Sequence, residues 1–235
     1  MRKILSVFFA LLVSVSSANA DGMLSLMGFG AGQSAVPPLP SVTYNGYYTD
    51  PANSTSHSMS VSTGTAATGR VIVAAIKSCT TGGPSAVMLN GASMSVAPST
   101  NNIALARIVL STGTSATLTY TTPVSCLVDA GVWSLYNLNS SVPVASTSTS
   151  STSNGSCTIA TQQDGIMIAA ANTSLSGGSS ISMSGLDSVS YSNQAVQATS
   201  RSSGGYAITP STSDTATITY SPTATSANSV CASWR

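Results

Sequence analysis

A series of short β-favouring segments occurs twice in this chain in the same order, and that duplication limits the fold more than any single motif does. RVIVAAI beginning at Arg70 resembles DGIMIAAA beginning at Asp164, and SAVMLNGASMS at Ser85 resembles SISMSGLDSVS at Ser180. TLTYT at Thr117 resembles TITYS at Thr217, and the strand carrying Trp133 corresponds to the closing strand carrying Trp234. The offset grows from 95 residues at Val71/Ile166 to 100 at Thr117/Thr217, which predicts a short insertion near Arg201 to Pro210.

From Ser41 onward, Gly, Ser, Asn and Pro interrupt apolar runs every 8 to 12 residues or so, the spacing of an antiparallel sandwich or barrel. Strands are predicted at Val42–Tyr48, Ser58–Ser62, Arg70–Ser78, Ala86–Leu89, Ile103–Leu110, Ala116–Thr121 and Leu127–Leu138. Ala116–Thr121 alternates apolar with hydroxyl residues and fits a half-buried strand. Val71–Ile76 is apolar throughout, so it fits a central strand covered on both faces. After the signal peptide, no window sustains helical periodicity. The expected fold is therefore all-β: an antiparallel two-sheet sandwich, jelly-roll or immunoglobulin-like, spanning 41–235. Pseudo-repeat halves 41–138 and 156–235 are joined by a Ser/Thr-rich connector, 139–155, read as solvated. One sandwich with strands from both halves is preferred to two tandem domains, because each half has few large apolar residues.

Arg2 and Lys3, an apolar run of about twelve residues and Ala18-Asn19-Ala20 predict a secretory signal at 1–20, too short to span a membrane. Residues 21–40, with Pro37, Pro38 and Pro40, form an apolar Gly/Pro-rich arm or linker. The expected location is extracellular, at the cell surface or in the periplasm, with no membrane association once the signal is removed. Only 6% of the chain is charged, so it has no basic patch for nucleic acid. An even count of cysteines in an oxidising compartment points to two disulfides. Cys79 with Cys126 and Cys157 with Cys231 are the pairings that join strand ends within each half.

The chain is poor in catalytic groups. Every acidic residue is Asp, the sole histidine is His57, and Lys77 is the single lysine after the signal. No Gly-x-Ser-x-Gly elbow, Ser-x-x-Lys, Cys-x-x-Cys or Asp-x-Asp occurs. His57, within a polar Ser/Thr run, reads as a surface histidine; Lys77 reads as a solvent-facing strand-end guard; the aspartates read as turn formers. The expectation is a non-enzyme without cofactor or metal. Tyr44, Tyr47 and Tyr48 are the densest aromatic group, offering either a stacking platform for a glycan or ordinary packing. Expected partners are a glycan, other copies of the chain, or virion proteins. A carbohydrate-active enzyme using Asp carboxylates is the lesser alternative.

RVIVAAI, GVWSL, TLTYT and the terminal ASW, together with MLSLMGFGAG near the start, resemble a loosely defined group of bacteriophage and prophage β-sandwich proteins associated with the virion or tail. The resemblance covers about Ser41–Arg235 and implies a virion role and location as the alternative to a secreted adhesion or structural role. It implies no site residue. MLSLMGFGAG also leaves open Met23 as the true start.

Overall fold

The computed structural model of the chain describes residues 37–78, 82–100, 102–151, 155–173, 180–197, 200–208, 215–222 and 227–235. The expected signal peptide, most of the 21–40 arm and Cys79 lie outside the described residues. Those described form antiparallel strands and no helix, as the sequence predicts, and hence no helix long and apolar enough to cross a membrane.

The first half is organised by two long strands. Strand β1 (Ser41–Ser62) pairs with β7 (Ser115–Tyr136) over most of its length, with register shifts between Asp50 and Ser56. The other edge of β7 has two successive partners: β3 (Ser85–Leu89) beside Leu118–Thr121, and β2 (Val71–Lys77) beside Asp129–Leu135. Beyond β3 lies β4 (Ala92–Ser93); beyond β2 lie β6 (Ile103–Val109) and β5 (Ser95–Ser99). Irregularities of this kind bend strands. Here the β1–β7 pair folds over, so Met59, Val61, Leu118 and Tyr120 pack on Ile72, Ala74, Ile76 and Val132.

The second half repeats this plan in two sheets. One has the order β12 (Ser188–Gln197), β13 (Ser200–Ile208), β10 (Ile166–Thr173), β15 (Ala227–Trp234) and β8 (Ala145–Ser151); the other is β11 (Ile181–Ser184), β14 (Thr215–Pro222) and β9 (Gly155–Ala160). Strand for strand, β5-β6-β2-β7-β1 matches β12-β13-β10-β15-β8, and β3-β7-β1 matches β11-β14-β9. Among the described residues, β8 with β9 stands where the first half has β1, and β14 with β15 where it has β7.

Register corrects the position of the insertion. The offset between halves is 95 at Val71/Ile166 but already 99 at their partners Val109/Ile208. The extra residues therefore fall between β10 and β13, ahead of Arg201. The connector is also not simply solvated. Ala145–Ser151 is an edge strand on β15, and its Thr149 hydroxyl meets Ser229 at 2.7 Å, because β15 would otherwise present an unpaired edge.

Within the described residues the halves exchange no strand, yet they share a core. Val71, Val73, Leu105, Trp133 and Leu135 pack on Ile166, Ile168, Val230, Ala232 and Trp234. Strands β2 and β10 are consequently buried on both faces, as the unbroken apolar run of β2 predicts. Tyr191 is wedged between the halves: a Cβ on Gly131 would collide with its ring, and one on Gly204 would lie 2.7 Å from it. A third core, around Cys157, Ile159, Met167, Ala169 and Cys231, joins the two sheets of the second half.

Candidate functional site

Side-chain chemistry concentrates in three places, each at the end of a strand or between strands. The first lies at one end of the shared core. Lys77 closes β2 directly opposite Asp129 of β7, and both are buried. The Lys77 ammonium donates to Ser200 Oγ, which donates to Thr173 O at 2.9 Å; Ser202 Oγ donates to Asp129 Oδ2 at 3.0 Å. Side chains of one half are thus completed by hydroxyls of the other. Burial raises Asp129 to about 6 against the attraction of Lys77 and the Ser202 hydrogen bond, and lowers Lys77 to about 8 against the attraction of Asp129. Nearby, Ser78 Oγ, Asn102 Oδ1 and Asn172 Oδ1 are buried without a hydrogen-bond partner. Such atoms are normally few in a folded protein, so this end of the core gives up stability.

The expected solvent-facing lysine is therefore corrected. Lys77 is turned inward because β2 is covered on both faces. Asp129 likewise sits in mid-strand rather than in a turn, while Asp50 keeps the expected turn role, accepting from Ala52 N at 2.9 Å.

The second place is His57, which is buried and not at the surface. It alternates with Ser56 and Ser58 along β1, so its ring faces the first core, beside Tyr120 at 5.3 Å between centroids. Its Nδ1 meets Asp50 Oδ2 at 3.2 Å, and its Nε2 meets Thr122 Oγ1 at 3.2 Å. Burial works to raise the Asp50 carboxyl, but hydrogen bonds from Ala52, His57 and Ser58 outweigh it and hold the group below the ordinary value. The order carboxylate, imidazole, hydroxyl has the spacing of a hydrolytic triad. However, the imidazole is 0% exposed and the Thr122 hydroxyl is also placed to donate to Val124 O at 2.9 Å. The trio acts as a polar clasp across the β1–β7 pair.

The third is a cavity of about 210 Å³ between β4–β6 and the segment entering β8, lined by Ser93, Ser95, Arg107, Val109, Ser141 and Val142 among others. Arg107 Nε donates to Ser141 O at 3.1 Å. Arg70 differs: it is fully buried, and its guanidinium donates to five backbone carbonyls of residues 63, 64, 110, 112 and 113.

The three tyrosines singled out in the sequence do not form one platform. Tyr44 and Tyr47 pack into the shared core, 6.2 and 5.1 Å from the Tyr191 ring. Tyr48 packs on the first core, accepting from Ser62 N at 2.8 Å and donating to Asn45 O at 2.9 Å. Burial, then the nearby Asp129 carboxylate, raises the Tyr47 phenol far above its ordinary value, although the two groups do not meet in good hydrogen-bond geometry. Cys157 and Cys231 form the expected disulfide, with Cα atoms 6.4 Å apart. Cys126 is also disulfide-bonded.

Among the described residues no set of three His, Cys, Asp or Glu side chains could hold a metal. No family model matches the chain, and no curated protein and no solved structure matches it.

Proposed function

We propose that the chain is a non-catalytic structural or adhesive module exported to a cell or particle surface, an antiparallel β-sandwich built from two pseudo-repeated halves that share a core. One observation carries this reading: where Ser56–Ser62 pairs with Ser115–Thr121, the outer face carries hydroxyls and no charged side chain. On the outer face of the β1–β7 pair Ser56, Ser58, Ser60 and Ser62 lie opposite Thr121, Thr119, Thr117 and Ser115. Between them the inward positions carry His57, Met59, Val61, Ala116, Leu118 and Tyr120. A face without charge gives no long-range steering, so attachment relies on shape and on repeated copies.

Catalysis by paired carboxylates finds no support in the described aspartates. Asp50 serves His57, Asp129 serves Ser202, Asp164 lies 3.8 Å from Arg235, and Asp187 accepts from Ile208 N. A virion component is the second reading, supported by RVIVAAI, GVWSL, TLTYT and ASW. Mass spectrometry of culture medium, surface fraction and purified particles tests both. The protein is expected at a surface or in particles, beginning at Asp21; hydrolytic turnover abolished by an Asp→Asn change in a folded variant would overturn the non-catalytic reading.

A further inference from the structure

Arg107 stands apart from the other described cations. Its Nε is held by Ser141 O, a carbonyl that also accepts the Trp234 indole N–H at 3.3 Å, so this carbonyl joins β6 to the closing strand. With Nε engaged, the two terminal nitrogens form the free edge of the guanidinium, and they meet no acceptor among the described residues. By contrast the Arg70 guanidinium is saturated by carbonyls and Arg235 has Asp164. Burial lowers the Arg107 pKa, which marks a cation partly stripped of water. A planar pair of N–H donors fits a carboxylate in two parallel hydrogen bonds.

The rest of the cavity narrows the ligand. Ser93, Ser95 and Ser141 line it, and Val109 and Val142, 47% and 58% exposed, give it an apolar rim. About 210 Å³ is the space of one sugar ring. A ring bearing one carboxylate, several hydroxyls and an apolar face uses all of these features, whereas a neutral sugar offers only hydroxyl oxygens and no charge to pair with the guanidinium.

We propose that the Arg107 cavity binds the carboxylate-bearing ring of an acidic sugar, a uronic acid at the end or edge of a glycan. This rests on the surface-attachment reading and gives it a ligand class.

Titration of the full chain, followed by NMR shifts of residues lining the cavity, uses glucuronate, glucose and N-acetylaspartate as probes. Glucuronate is expected to shift the Arg107 and Val142 signals, with the other two binding about tenfold more weakly or worse. Arg107→Gln removes the fork, and Val142→Glu places a repelling carboxylate at an exposed rim position where folding is undisturbed. Each is expected to lose about tenfold in glucuronate affinity. No binding of glucuronate, equal binding of either control, or survival of binding in the folded Val142→Glu protein overturns the proposal. A protein found at a surface that ignores glucuronate defeats this inference alone. Glucuronate binding by a protein found at no surface defeats the attachment reading alone.

Discussion

The two halves share a strand plan but differ in charge at one equivalent cross-strand pair of their central strands. Six residues along from Val71/Leu135 the first half places Lys77 opposite Asp129; six along from Ile166/Trp234 the second half places Asn172 opposite Asn228. One pair is ionisable and the other neutral, and all four side chains are buried at the same end of the joint. The difference teaches what a shared core tolerates. An ionisable pair persists there because hydroxyls of the other half complete it, so the arrangement fixes which surfaces meet more than it stabilises them.

The largest expected effects sharpen that contrast. Lys77→Ala and Asp129→Ala should each cost about 3–5 kcal/mol in urea unfolding, since each leaves a buried charge without its partner. Lys77→Met with Asp129→Leu should recover most of that loss, and Asn172→Ala should cost only about 1–3 kcal/mol. Equal losses at Lys77 and Asn172 would break the comparison. Replacing Cys157 and Cys231 by Ser should cost about 2–4 kcal/mol. Gly131→Ala and Gly204→Ala press on Tyr191 from opposite halves and should each cost about 1–3 kcal/mol by overpacking.

The ionisable pair also sets a pH profile that the amide pair cannot. Asp129 is raised in the folded state, so its contribution to stability falls as pH rises from 3.8 to about 6; Lys77 is lowered, so stability is regained as pH rises from about 8 to 10.5. Chemical unfolding across this range should show a shallow minimum between, which the double variant abolishes. At the outer hydroxyl face, by contrast, Ser60→Lys should change stability by no more than about 0.5 kcal/mol.

What the sequence made legible was whatever depends on local pattern. The apolar run Val71–Ile76 announced a strand covered twice, the alternation of Ala116–Thr121 announced one covered once, and the repeated order announced the duplicated plan. What stayed hidden depends on partners distant in sequence. Lys77 at a strand end has the same local pattern whether it faces water or Ser200. His57 among serines looks exposed until alternation with Met59 and Val61 assigns it the inner face. The connector, too, read as solvated because edge pairing with β15 leaves no apolar period in Ala145–Ser151.

The halves repeat one plan but depend on a common core. Expressing residues 41–138 alone and following denaturant unfolding by near-ultraviolet circular dichroism tests that dependence. The fragment exposes Val71, Val73, Leu105, Trp133 and Leu135, so it should aggregate or lose cooperative unfolding. A soluble fragment with a cooperative transition and a native aromatic signal would contradict the account and make the halves independent domains.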